Sequence, residues 1–156
     1  MLRKYIITLG FGLALAPSMA QAPSPWTVVR YPKDEPFDVG LVTTTAPAGC
    51  GKCDSPSPTG LVKVKRDDQY TTLEFVIGGL PSKPGKYYLY TIDGNGRAKR
   101  LDTLGTKYQT TRQLPPDEYE TFMLIVSADA NLRALPPRNK ILLYSVVPRG
   151  LTAVPH

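Results

Sequence analysis

The chain holds 156 residues with a formal charge of +6. A domain of this size can bury roughly two-thirds of its unfolded surface, enough for a core without staples. So modest a positive balance argues against a dedicated nucleic-acid binder, which would carry a denser basic stripe, while leaving room for bound anions or an acidic envelope surface.

Met1-Leu2-Arg3-Lys4 opens the chain, an apolar run from Tyr5 to Ala16 follows, and Pro17-Ser18-Met19-Ala20-Gln21-Ala22 closes the segment. A basic start, a short hydrophobic middle and small residues before a cut describe a secretory signal peptide over residues 1–22, cleaved after Ala20 or Ala22. The apolar run is about twelve residues, short of the roughly twenty that span a bilayer, and no later stretch reaches that length. A lipoprotein anchor needs a cysteine directly after the signal, and the first here is Cys50. Without residues 1–22, 134 residues remain, with seventeen cations against thirteen acids, or +4. The expectation is an exported, soluble domain of the bacterial cell envelope, secreted or periplasmic, with no membrane span.

Residues 23–59 are proline-rich, with prolines at 23, 25, 32, 36, 47, 56 and 58. Proline removes ladder donors and pins φ, so this segment is expected to hold only brief strands, at Trp26 to Tyr31 and Val39 to Thr45. Trp26, the sole tryptophan, suits a plug at one end of the core better than a ligand platform. Cys50-Gly51-Lys52-Cys53 lies in the same segment. In an oxidising compartment such a pair reads as a small structural disulfide, with thiol–disulfide exchange as the alternative. A redox-active pair wants its first thiolate at a helix N-terminus, and Asp54-Ser55-Pro56-Ser57-Pro58 does not build one. Zinc needs four ligands, and the chain adds only His156 to the two cysteines.

From residue 60 to 150 the pattern is that of a β core. Leu61 to Lys65 alternates apolar with basic, Arg66-Asp67-Asp68-Gln69 reads as a turn, and Leu73, Phe75 and Ile77 share one face of the next strand. Gly78-Gly79-Leu80-Pro81 ends that strand, and Pro84-Gly85 turns into Tyr87-Tyr88-Leu89-Tyr90-Thr91-Ile92, apolar on both faces and hence central. Asp93-Gly94-Asn95-Gly96 carries the residues of a tight hairpin; as a calcium loop it lacks the later ligands. Arg97 to Leu104 carries Arg97, Lys99 and Arg100 and suits a sheet edge. Lys107 to Leu114 is a polar strand, Thr121 to Ser127 a buried one, and Asp129 to Leu135 has room for one helical turn. Ile141 to Val147 is the last strand, and 151–156 a tail. Seven short strands at roughly ten-residue intervals, without an amphipathic helix, predict an all-β, antiparallel sandwich.

The hairpin Leu61 to Ile77, Gly79-Leu80-Pro81, Tyr87-Tyr88-Leu89-Tyr90 before Asp93-Gly94-Asn95-Gly96, then Leu101 and Leu104-Gly105, together resemble the extracytoplasmic domain of anti-sigma-K-type factors and related immunoglobulin-like modules. Phe122 to Ser127 and Ile141 to Val147 look like the later strands of such a module. The resemblance covers about two-thirds of the chain after the signal and implies an immunoglobulin-like sandwich and an exported compartment, with no catalytic residue. Leu89-Tyr90 stands where that family usually has Leu-Trp, and the sigma-binding segment and membrane helix of such regulators are missing, so anti-sigma activity is not implied.

Catalysis has little support. His156 is the only histidine, Asp67-Asp68 and Asp117-Glu118 fall in predicted turns where adjacent acids are solvated, and Gly94-x-Gly96 lies between strands rather than before a helix. No cofactor or metal is expected. Tyrosine is the generous residue, and on the central strand Tyr88 and Tyr90 share one face while Tyr87 lies on the other with Leu89. Beside Arg97, Lys99 and Arg100 these rings form a possible binding face for an anionic glycan, a peptide or another envelope protein, against the alternative that they are core with hydroxyls at the rim. The function expected is that of a binding or structural module.

Overall fold

Residues 27–44 and 57–154 are described by the structure, a computed structural model. Residues 1–22, which were expected to be a signal peptide, Trp26, the Cys50/Cys53 pair and His156 lie outside the described residues. Ten strands follow in chain order: β1 (Val28–Arg30), β2 (Phe37–Thr43), β3 (Thr59–Arg66), β4 (Thr71–Gly78), β5 (Tyr87–Ile92), β6 (Ala98–Leu104), β7 (Tyr108–Leu114), β8 (Thr121–Ser127), β9 (Leu143–Ser145) and β10 (Ala153–Val154). No helix among the described residues is long and apolar enough to cross a membrane.

All ladders between named strands are antiparallel, as expected. The expected seven strands become ten, and they form one continuous sheet curled nearly into a barrel. Its path runs β6-β5-β8-β9-β2-β3-β4-β7, with β1 and β10 attached beside the first residues of β8. Beyond the seven strands of the core, β1 and β2 fall where brief strands were expected in the proline-rich segment, and β10 is an unexpected strand in the tail. Pro32 and Pro36 fall between β1 and β2 rather than inside either, so no ladder donor is lost, and β2 extends to seven residues paired on both edges. The last expected strand shrinks to β9, three residues long, although the Val146 N–H still donates to the Gly40 carbonyl at 3.0 Å.

Alternation explains the inner core. Val62 and Val64 of β3 face Leu73, Phe75 and Ile77 of β4 inside the curled sheet, joined by Tyr87 and Leu89 of β5 and by Phe122, Leu124 and Val126 of β8. On the outer face Lys63, Lys65 and Glu74 meet solvent.

Strands β5 and β8 break this alternation because they are apolar on both sides. Tyr90, Ile92, Met123 and Ile125 therefore form a second, outer cluster, closed by Ile141 and by Leu132 and Leu135 of the β8–β9 connection. This connection is no helix between residues 129 and 135. Its backbone is committed to the hairpin after β5, with Ala98 N–H bonded to the Arg133 carbonyl (3.0 Å) and Leu135 N–H to the Gly96 carbonyl (2.8 Å). The one helical element among the described residues, a 3₁₀ turn at Arg138–Lys140, comes after Pro137. Ser127 Oγ donates to the Lys140 carbonyl at 2.6 Å, and Thr44 Oγ1 to the Ile141 carbonyl at 2.8 Å, which fix the cover from two sides.

The barrel stays open between β6 and β7, the two ends of the path. Side chains cross the gap: Asp102 Oδ2 accepts from the Tyr108 hydroxyl (2.5 Å) and from the Arg112 guanidinium, while Asp102 Oδ1 accepts from the Thr103 N–H (2.8 Å). Burial pushes Asp102 up, but these donors outweigh it and hold its carboxyl below the usual range. Burial and the same carboxylate push Tyr108 up to about 12.

Two predictions follow from this packing. Ile141→Ala opens the outer cluster while leaving the inner core intact, and should cost about 2–5 kcal/mol in urea unfolding; a change near zero would mean that the cover carries no stability. Because the folded carboxyl of Asp102 titrates below its unfolded value, its contribution is complete above the carboxylate range and fades as pH falls from about 5. In Asp102→Asn the acid side of the stability–pH curve should be shallower, though not flat, since Asp67 is also held low by the N–H groups of Tyr70 and Gln69.

Candidate binding face on β5 and β6

The β5–β6 hairpin is shaped by one carboxylate. Asp93 Oδ1 accepts the N–H groups of Asn95 and Arg97, both at 2.9 Å, while the Asp93 carbonyl takes the Gly96 N–H at 3.0 Å. Gly96 has φ of +74°, a left-handed conformation that glycine adopts without a Cβ penalty. Asp93 thus serves the turn.

Pairing across this hairpin sorts the candidate residues. Tyr90 lies opposite Arg100 and Thr91 opposite Lys99, with a register shift between Leu89 and Tyr90. Cross-strand partners share a face, so Arg100 joins Tyr88 and Tyr90 on the outer side while Lys99 projects to the other side. There Lys99 Nζ meets Glu118 Oε2 at 2.6 Å and lies 5.5 Å from the centroid of the buried Tyr119 ring. The Glu118 hydrogen bond raises the Lys99 pKa. Arg97 is exposed where the hairpin re-enters the sheet, its backbone bridged to Ala134.

The two tyrosines play different parts. Tyr90 is 1% exposed, and its hydroxyl donates to the Asp129 carbonyl at 2.6 Å; burial raises its pKa. It is core. Tyr88 is half-buried at the rim of the outer cluster and has two cations near it, Arg100 Cζ at 5.6 Å and Lys86 Nζ at 6.0 Å from its ring centroid.

Of the expected face, the structure therefore brings Tyr88 and Arg100 together, places Tyr90 beneath them, and separates Lys99 and Arg97. Lys86 is the addition. Its signal was available, since it stands two residues before Tyr88 and shares its parity along an extended chain.

What sets this spot apart is a half-buried ring with two cations close to it. Arg30, Lys33, Lys99, Arg112 and Lys140 each have a carboxylate within 4 Å. Lys86 and Arg100 form no ion pair among the described residues; Arg100 donates only one bond, to the Ala130 carbonyl at 3.3 Å. Past the end of β8 a cleft of about 490 Å³ is lined by Tyr87, Ser127, Asp129, Lys140 and Lys83; Lys140 Nζ meets Asp129 Oδ2 at 3.6 Å, and Lys83 forms no ion pair among the described residues. Among the described residues no cluster of His, Cys, Asp and Glu has the grouping to hold a metal ion.

Comparison with family models, with curated proteins and with solved structures gave no match.

Tyr90→Phe tests the division of roles. It removes one buried hydrogen bond and should lower stability by about 0.5–1.5 kcal/mol, while the fluorescence and reactivity of Tyr88, measured by nitration, stay as in the parent chain. A Tyr90 that is itself nitrated as fast as Tyr88 would contradict the burial described.

Proposed function

We propose that this chain is an exported envelope protein that acts as a binding module, with Tyr88, Arg100 and Lys86 as its contact face and an anionic glycan or acidic peptide segment as its ligand. The observation that carries the reading is the half-buried ring of Tyr88 with two cations close to it, neither in an ion pair among the described residues. A fixed aromatic face offers stacking area at little entropic cost, and unpaired cations lose no internal partner when an anion arrives. The face supplies charge and stacking surface, and the role proposed for it is binding. Export rests on the opening segment of the chain.

The immunoglobulin-like sandwich and the likeness to anti-sigma-K-type extracytoplasmic domains belong to the same proposal. Antiparallel strands around one inner core support it, as does the ladder pairing Leu61 with Val76 through Val64 with Leu73.

The test is retention on immobilised dextran sulfate compared with neutral dextran over a salt gradient. Tyr88→Ala and Arg100→Ala should each weaken retention on the sulfated polymer by about 2–5-fold, with Lys99→Ala close to the parent. Equal retention on both polymers, or indifference to Tyr88 and Arg100, would refute the face.

A further inference from the structure

A second, separate feature lies near the other end of β8. The alternation of β3 that buries Val62 and Val64 continues to Arg66, so a guanidinium occupies a position whose parity belongs to the core. Arg66 is 6% exposed, yet it forms no ion pair among the described residues. One terminal nitrogen donates to the Tyr31 carbonyl, and Nε is buried with no hydrogen-bond partner. Burying a charge without a counter-ion is costly, and a guanidinium cannot escape by deprotonation.

Arg66 lines a cleft of about 680 Å³ together with Arg30, Lys33, Asp117, Glu120 and Thr152. Most of these charges are spoken for. Arg30 Nε lies 3.4 Å from Glu120 Oε1, and Lys33 Nζ 2.6 Å from Asp68 Oδ1. Asp117 is exposed and makes no ion pair among the described residues. The buried cation is thus the one whose charge the surrounding protein leaves uncompensated.

From this we infer that the cleft over Arg66 is a binding site for a monoanionic carboxylate. A guanidinium presents parallel N–H donors in a fork that matches the two oxygens of a carboxylate. Asp117 and Glu120 in the lining set the charge limit: a dianion such as phosphate meets two negative groups, whereas a single negative charge balances Arg66 alone. The site is independent of the Tyr88 face, since β1 and Thr121 mark one end of β8 and Tyr88 pairs with Ser127 at the other. The carboxylate belongs either to a small organic acid or to the C-terminus of a peptide, which share this chemistry.

The experiment is titration of the full chain at constant ionic strength, read by ¹⁵N–¹H spectra, with four probes: acetate, a tetrapeptide with a free C-terminus, the same peptide amidated, and inorganic phosphate. Acetate or the free-acid peptide should shift the amides of Tyr31 and Arg66 and the Arg66 Nε–H saturably, the peptide binding tighter if a C-terminus is the natural ligand and equally if a small acid is. The amide and phosphate should not saturate. Arg66→Gln should weaken carboxylate binding by about tenfold or more, and Arg66→Lys, which keeps the charge without the fork, by less. Asp117→Asn, exposed and outside the core, should tighten it. Should Arg66→Gln fail to fold, the Asp117→Asn and amidated-peptide arms still decide. Absence of saturation by any carboxylate, phosphate binding as tightly as acetate, or unchanged affinity in a folded Arg66→Gln chain would overturn the inference.

Discussion

Two adjacent strands that are apolar on both faces govern this architecture. β5 and β8 cannot behave as the wall of a simple barrel, whose outer side meets water, because Tyr90, Ile92, Met123 and Ile125 would then be exposed. The chain answers with the long β8–β9 connection, which lays Leu132, Leu135 and Ile141 over them. Each such side chain contributes about 1.5–3 kcal/mol when removed from water. Tyr88 sits at the rim of this cover, sharing packing with the cluster below and leaving part of its ring accessible.

The same constraint distributes polar chemistry around the curled sheet. β6 and β7 carry alternating polar residues and end the path, and their edges are joined by the Asp102–Tyr108–Arg112 group in place of a ladder. Such a side-chain closure blunts two open edges that would otherwise invite pairing with another chain. Five of the described cations meet a carboxylate, and among those that do not, Arg66 stands out by being buried while Lys86 and Arg100 stand out by lying beside the ring of Tyr88. Surface ion pairs stabilise little by themselves.

Much of this was legible in the residues. The alternation of Leu61 to Lys65 and of Leu73, Phe75 and Ile77, the Asp93–Gly96 hairpin and the double-faced β5 are local patterns with local causes, and they correspond to β3, β4, the β5–β6 turn and an interior strand. The brief strands expected at Trp26 to Tyr31 and Val39 to Thr45 correspond to β1 and β2, whereas β10 was not legible, being two residues long and owing its existence to a partner distant in the chain. The helical turn expected at residues 129–135 failed for a related reason: its backbone groups bond across to Gly96 and Ala98, and such partners leave no trace in a local window.

By itself the sequence determined a β chain of alternating and double-faced strands, the place of its tightest turn, and the face that each tyrosine of β5 takes, since these depend on side-chain parity and backbone torsions within a few residues. Only the tertiary structure decided that Tyr90 is core while Tyr88 is reachable, that Lys99 turns to Glu118 and Arg100 to Tyr88, and that Arg66 is buried without a counter-ion among the described residues. Those outcomes turn on which distant strand supplies the neighbour, and the energy of a charge or a ring is set by what surrounds it rather than by what precedes it in the chain.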